Sequence, residues 1–188
     1  MEPRLKEKYK KEIAPKLKET FGYKNIMAVP QIKKITINTG FGKMIIGKTA
    51  EEQKKIIDNI LNDLSLISGQ KPSLTQAKKS IATFKIRKGM AIGVKVTLRK
   101  RKMYDFLERL INIALPRSRD FRGIDPKSID KGGNLTLAIK EQICFPEISP
   151  EKTKFLFGFE VTITAEAKNK EEGLELFKQI GIPIKKAE

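Results

Sequence analysis

The chain has 188 residues, and its 39 lysines and arginines against 22 acids give a formal charge of +17. Apolar residues make up 39% and are spread along the length, so the chain can bury a hydrophobic core and is not a disordered basic tail. Histidine is absent, which removes the commonest general base and zinc ligand, and Cys144 alone cannot form an internal disulfide.

Four helices are predicted from apolar residues at helical spacing. The first covers the first twenty residues, with a kink expected at Pro15. The second begins at the capping-box pair Thr49 and Glu52 and stops at Gly69. The third covers Lys102 to Leu115 and is ended by Pro116. The fourth follows Asn169 and ends before Gly181.

Four strands are predicted from apolar and polar residues that alternate with period two. They cover Lys33 to Thr39, Ala91 to Arg99, Leu135 to Gln142 and Phe157 to Ala165. Clean alternation is typical of a sheet that is covered on one face only, and such sheets favour antiparallel pairing. The prediction is therefore an α+β fold, a single domain over residues 1–188, in which helices pack on one face of a largely antiparallel sheet.

The other face of this sheet is expected to be basic and rich in hydroxyl groups, with almost no acid. Its predicted residues are Lys34, Thr36, Asn38, Lys95, Thr97, Arg99, Thr136 and Lys140. Such groups suit phosphates and ribose 2′-hydroxyls. Any solvent-facing strand is polar as well, so a binding platform and an ordinary solvated surface both remain open at this point.

The basic charge is clustered in a way that a solvated surface does not require. Residues 64–104 contain 11 basic residues and no acid, and the rest of the chain contributes only +6. A clustered basic footprint favours a polyanionic partner, with nucleic acid the first candidate and an anionic membrane the second. The membrane is disfavoured because the basic stretch is a predicted loop and strand, not an amphipathic helix, and because no apolar run reaches the roughly 18 residues of a membrane span.

Three loop-like segments carry further chemistry, and they make the sequence recognisable. They are residues 68–89, residues 116–123 (Pro-Arg-Ser-Arg-Asp-Phe-Arg-Gly) and residues 130–134 (Asp-Lys-Gly-Gly-Asn). Together with Val29-Pro30, the run Ile35 to Gly40, Gly93 to Arg99 and Phe145 to Ile148, they resemble the bacterial form of large-subunit ribosomal protein five along nearly the whole chain. Ser73 departs from the resemblance, since the family usually has an aliphatic residue there.

The resemblance implies a component of the central protuberance in the cytoplasmic ribosome. Its expected partners are 5S rRNA, large-subunit rRNA, neighbouring ribosomal proteins, the elbow of the P-site tRNA and a protein of the small-subunit head. The strand around Asn38 is expected to contact 5S rRNA. A mobile basic loop, residues 71–89, is expected to face tRNA through Lys71, Thr75, Lys78, Lys79 and Ser80. Basic contacts to the subunit bridge or to RNA are expected from Arg117, Arg119 and Arg122.

The alternatives are an enzyme, a DNA-binding protein and an RNA chaperone outside the ribosome. An enzyme is disfavoured because no nucleophile elbow, P-loop or zinc spacing is present, so we expect no cofactor, no metal and no small-molecule substrate. Cys144 lies between Ile143 and Phe145 and is interpreted as a small core residue. Phosphate contacts do not distinguish DNA from RNA, but no helix-turn-helix or zinc-finger pattern supports DNA. The RNA chaperone is the second hypothesis.

Overall fold

The computed structural model describes residues 2–119 and 121–185; the ends of the predicted domain, residues 1 and 186–188, lie outside them. The strands form one sheet of five, all paired antiparallel. The alternation predicts four of these strands and their antiparallel pairing. The strands are β1 (Gln31–Gly40), β2 (Ser73–Gln76), β3 (Ala91–Leu98), β4 (Leu135–Ile139) and β5 (Phe159–Glu166). Their order across the sheet is β2-β3-β1-β5-β4.

The helices match the predicted stripes, and the one predicted over Lys102 to Leu115 runs further, from Lys100 to Arg117. The first, α1, consists of an α-helix (Arg4–Lys8), a π-helical turn (Tyr9–Ile13) and a second α-helix (Ala14–Phe21). It is followed by α2 (Gly42–Ile45) and α3 (Ala50–Ser68). The next, α4, again joins an α-helix (Lys100–Arg109), a π turn (Leu110–Ala114) and a last short helix (Leu115–Arg117). The last is α5 (Lys170–Ile180).

Both proline-containing helices continue past their proline, which corrects the prediction that Pro116 ends its helix. Proline lacks the N–H that would bond to the carbonyl four residues earlier, and its ring collides with that carbonyl. For Pro15 and Pro116 those carbonyls belong to Lys11 and Asn112, and both lie within π turns. The wider π turn makes room for the ring, so the helix continues past it.

The predicted second helix, α3, begins and ends where its sequence predicts. The Thr49 hydroxyl accepts a hydrogen bond from the Glu52 N–H, and the Glu52 carboxylate accepts one from the Thr49 N–H at 3.0 Å. The hydrogen bond from the Thr49 N–H to the Glu52 carboxylate, and after it the one from the Thr49 hydroxyl, hold the pKa of Glu52 below its usual value. Gly69 closes the helix in the left-handed conformation, with φ of +63°.

The hydrophobic core lies on one face of the sheet. Ile35, Ile37 and Val161 on the central strands are fully buried against the apolar stripes of the helices, among them Phe106 and Phe177. Burying each such side chain contributes roughly 1.5–3 kcal/mol, so this layer holds the helices to that face and leaves the other free. Cys144 is buried at the edge of the core, as predicted.

Two findings bear on the alternatives weighed above. Among the described residues, no helix has both the length and the apolar character that crossing a membrane requires. Across residues 2–119 and 121–185, no group of three or more acids or cysteines is placed to hold a metal ion.

Candidate nucleic-acid interface

A row of four threonines crosses the face of the sheet opposite the core. The pairing register sets Thr97 of β3 beside Thr36 of β1, Thr36 beside Thr162 of β5, and Thr162 beside Thr136 of β4. Adjacent strands lie about 4.8 Å apart, so the row spans about 14 Å. The Thr136 and Thr162 hydroxyl oxygens are 3.4 Å apart. Each hydroxyl donates one hydrogen bond and accepts two, and the rigid sheet fixes their spacing.

A second polar row runs parallel to the threonine row. It lies two residues later in β1 and two residues earlier in the antiparallel strands β3 and β5. Ser73 of β2 lies beside Lys95, Lys95 beside Asn38, and Asn38 beside Glu160. The side chains of Lys95 and Asn38 are exposed. Ser73 is exposed and therefore belongs to this face and not to the core. Five of the predicted sheet-face residues (Thr36, Asn38, Lys95, Thr97 and Thr136) are brought together in these two rows.

The polar face carries more acid than the sequence prediction allowed. β5 contributes Glu160, which lies beside Asn38, and Glu166 near the end of the strand. Glu166 accepts hydrogen bonds from Lys33 and, at 3.0 Å, from Gln31. The Lys33 bond is the main cause that holds the pKa of Glu166 below its usual value. The acid at that end is thus neutralised within the protein, and Glu160 marks where the basic part of the face ends.

Lys34 and Arg99 lie at the margin of this face. Lys34 pairs with Thr164 next to a bulge in β1 and is half-buried. Arg99 is exposed and directly follows β3; extending the β1–β3 register by one residue places it beside Lys34. Lys140 directly follows β4, which ends at Ile139; extending the β4–β5 register by one residue places it beside Gly158, beyond the two rows. There the Gln142 side chain accepts a hydrogen bond from the Phe157 N–H at 2.9 Å and takes the chain out of the sheet.

Residues 71–89 are only partly a loop. Ser73–Gln76 form the edge strand β2, so Thr75 is a half-buried residue of the polar face and not part of a loop. Beyond β2, residues 77–90 form a narrow hairpin, which we call the arm. Ile81 and Ile86 exchange two backbone hydrogen bonds of 2.9 and 3.1 Å, and the Lys85 N–H donates to the Ala82 carbonyl to close the tip. The Ser80 hydroxyl accepts from the Lys88 N–H at 2.9 Å and braces the two sides.

The charged side chains of the arm are all cationic. Lys78, Lys79, Lys85, Arg87 and Lys88 are all exposed, and the arm contains no acid. Of the residues predicted to face tRNA, the arm brings together Lys78, Lys79 and Ser80, whereas exposed Lys71 precedes β2 and lies at the opposite end of that strand from the arm. The arm therefore separates a set of flexible point charges from the rigid rows of the sheet.

The segment between α3 and β2 is fastened to the body of the protein. The Lys102 ammonium donates to the Gly69 carbonyl at 2.8 Å, and the Gln70 amide donates to the Thr97 carbonyl at 3.4 Å. Arg109 donates to the Ile67 carbonyl at 2.8 Å and forms an ion pair with Glu147 that is about three-quarters buried. These contacts hold the end of α3 against α4 and β3, at the point where the chain enters β2.

A second cationic cluster lies at the far end of the sheet. Arg117, Arg119 and Lys140 line one pocket together with Glu141 and Leu156. Arg122 is exposed but does not line this pocket, so the three predicted arginines do not form a single group. Three cations against one acid favour an anionic ligand or surface at this point.

Several residues of the interface were not predicted from the sequence. Thr162, Thr164 and Ser73 belong to the polar face, and the period-two pattern of β5 marks the first two as facing away from the core. No sequence pattern predicts the hydrogen bond from the Gln70 side chain to the Thr97 carbonyl, because the two residues are distant along the chain.

Comparison with known proteins decides the family. Residues 25–87 match the model of ribosomal protein L5, and residues 91–184 match the model of the ribosomal L5P family C-terminus. Proteins described as large ribosomal subunit protein uL5 are 52% identical in Caldanaerobacter subterraneus subsp. tengcongensis and 55% identical in Desulforapulum autotrophicum. These matches cover 97% and 96% of this chain and 99% and 98% of the relatives. The chain belongs to the uL5 family of large-subunit ribosomal proteins.

Membership of the uL5 family confirms the resemblance inferred from the sequence motifs. The family is non-enzymatic and belongs to the bacterial cytoplasmic ribosome, which confirms the predictions of a ribosomal protein without catalytic activity. The boundary between the two family models falls in the arm, at residues 88–90. Strands from both matched segments share one sheet, since β1 of the first pairs with β3 and β5 of the second.

Proposed function

We propose that this chain is a structural constituent of the large ribosomal subunit that binds 5S rRNA with the polar face of its sheet and helps attach it in the central protuberance. The observation that carries the proposal is the pair of parallel rows, four threonines in one and Lys95 and Asn38 in the other, on a face that no part of the core uses. Family membership supplies the ribosomal setting.

The chemistry of the rows favours structured RNA. Threonine hydroxyls and the Asn38 amide can both donate and accept, as recognition of ribose 2′-hydroxyls requires, and Lys95 and Lys34 supply charge for the phosphates. Because the strands fix the spacing of these groups, they suit an RNA of defined shape more than an unstructured strand. Large-subunit rRNA and neighbouring ribosomal proteins would then surround the same domain.

We propose a different partner for the arm, namely the P-site tRNA. Lys78 and Lys79 are exposed point charges on flexible stems, and they suit phosphates of an RNA that arrives and leaves during translation. The arm is held only at its base, so it can follow a ligand that changes position. The Arg117, Arg119 and Lys140 pocket is proposed to contact either rRNA or an acidic surface of a small-subunit head protein, which would make it part of a subunit bridge.

Binding of 5S rRNA by the free protein is expected to weaken steeply as salt concentration rises. If about six phosphates are neutralised, the slope of log affinity against log salt should be about −4 to −5. A filter-binding titration with purified 5S rRNA measures this slope. The Lys95→Ala variant tests the contribution of the polar face: because it loses one phosphate contact, its slope should be less steep by about 1. A slope near zero for the unaltered protein would contradict the proposal.

We further propose that residues 71–89 are mobile in the free protein and become ordered in the ribosome. The backbone hydrogen bonds of the arm join only residues of the arm itself, and its side chains from Lys78 to Lys85 are all exposed. Lys and Arg side chains held close together also repel one another until an anion neutralises them. Amide hydrogen exchange should therefore be much faster in the arm than in β1 around Ile35. Protection in the arm equal to that at Ile35 would show that the segment is already rigid.

A further inference from the structure

Phe84 occupies an unusual position for a phenylalanine. All ten phenylalanines lie in the described part of the chain, and Phe84 is the only exposed one, with 59% of its surface accessible to solvent. It stands at the tip of the arm, between the Ile81–Ile86 bridge and Lys85, whose φ of +49° turns the chain back. Ile81 beside it is 44% exposed. An aromatic ring held in water at the tip of a projecting hairpin is a candidate contact surface.

The charges around Phe84 identify the kind of partner. Five exposed cations share the arm with it, and the nearest acids in the sequence are Asp63 and Asp105. A protein partner would have to present an acidic and apolar surface together, whereas RNA presents phosphates next to the flat apolar faces of its bases. Aromatic rings flanked by lysine and arginine are the usual platform on which nucleic-acid bases stack.

We infer that Phe84 stacks on an uncovered base face of the RNA that the arm contacts, while the surrounding cations hold its phosphates. This inference rests on the proposed contact between the arm and tRNA. Bases inside an A-form helix are not accessible to such a ring, so the target is a base that ends a stack or is turned out of it. The aromatic ring thereby gives the arm a preference for the shape of an RNA, which lysines alone do not supply.

The test compares ribosomes whose large subunits carry variants of this chain. Stacking on one base predicts that Phe84→Ala speeds dissociation of P-site tRNA by roughly 5- to 150-fold and that Phe84→Leu recovers only part of the loss. Phe84→Tyr keeps the ring and should bind tRNA within about threefold of the unaltered protein. Leu66→Ala, at a leucine of α3 that is 57% exposed and lies outside the arm, is the matched control and should change nothing. Ultraviolet crosslinking should join the peptide containing Phe84 to a tRNA nucleotide.

The outcomes separate this inference from the function on which it depends. If Lys78→Ala with Lys79→Ala weakens tRNA binding while Phe84→Ala does not, the stacking is wrong and the contact of the arm with tRNA stands. If neither variant affects tRNA, both proposals fall. Equal binding by Phe84→Leu and the unaltered protein, or a crosslink from the peptide to a ribosomal protein, overturns the stacking as well.

Discussion

Replacing Gly173 with alanine is expected to destabilise the protein by about 3 kcal/mol, although the same change normally stabilises a helix by about 1 kcal/mol. Gly173 is buried on α5, where the helix meets the loop before β4. A Cβ built on it would lie 2.5 Å from the Gly133 Cα and 2.6 Å from the Gly133 carbonyl oxygen. Both opposing atoms belong to the backbone, so no change of rotamer can relieve the collision, and α5 has to move away.

Urea unfolding followed by circular dichroism measures this effect. Gly42→Ala is the matched control, because Gly42 is also helical but its added Cβ would meet only the Ile92 Cβ at 3.9 Å. That variant should be as stable as the unaltered protein or slightly more stable. If Gly173→Ala unfolds at the same urea concentration as the unaltered protein, the close packing of α5 on the loop is wrong.

The contact between Gly173 and Gly133 matters to the interface because the loop that contains Gly133 leads into β4 and is hydrogen-bonded to β5. Asp130 accepts hydrogen bonds from the Asn134 N–H and side-chain amide, each at 2.8 Å, and Asn134 accepts one from the Ala165 N–H of β5. The bonds from Asn134 hold the pKa of Asp130 below its usual value. The loop thus fastens the beginning of β4 to β5, next to the point where Thr136 joins the threonine row.

The sequence predicted those features that depend on local patterns. Period-two alternation gave four of the strands and which face of each is polar, and the capping box at Thr49 gave the start of α3. It did not give β2, because the four residues Ser73–Gln76 are too few to show a clear alternation and follow a proline. The end of α4 was misplaced because the proline rule is local, and the π turn before Pro116 relaxes it.

The rows of the interface could not be predicted, for a physical reason. Alternation tells which face a residue occupies, but the neighbours across strands depend on register, and here Thr36 pairs with residues 61 and 126 positions later, Thr97 and Thr162. The presence of Glu160 beside Asn38 is a consequence of that register. The strand predicted to reach Gln142 ends at Ile139 instead, and the Gln142 side chain forms hydrogen bonds with the distant Phe155 carbonyl and Phe157 N–H.

The division of labour between the rigid rows and the arm leads to the second large effect. Asn38→Ala combined with Thr97→Ala should weaken 5S rRNA binding by about 1–3 kcal/mol, because polar groups of the RNA lose partners that no water can replace in the buried interface. Both substitutions leave the net charge unchanged. Lys78→Ala combined with Lys79→Ala removes two positive charges from the arm and should leave 5S rRNA affinity nearly intact while impairing tRNA binding on the ribosome.

Measuring the affinity of these two double variants for 5S rRNA at one fixed salt concentration tests the central proposal most directly. General attraction of a basic protein to RNA would weaken the lysine variant more, since only that variant loses charge. Recognition by the sheet face predicts the reverse order, with the Asn38 and Thr97 variant weakened and the lysine variant close to the unaltered protein. Loss of 5S rRNA by the lysine variant with full binding by the Asn38 and Thr97 variant would show that the polar face is only a solvated surface.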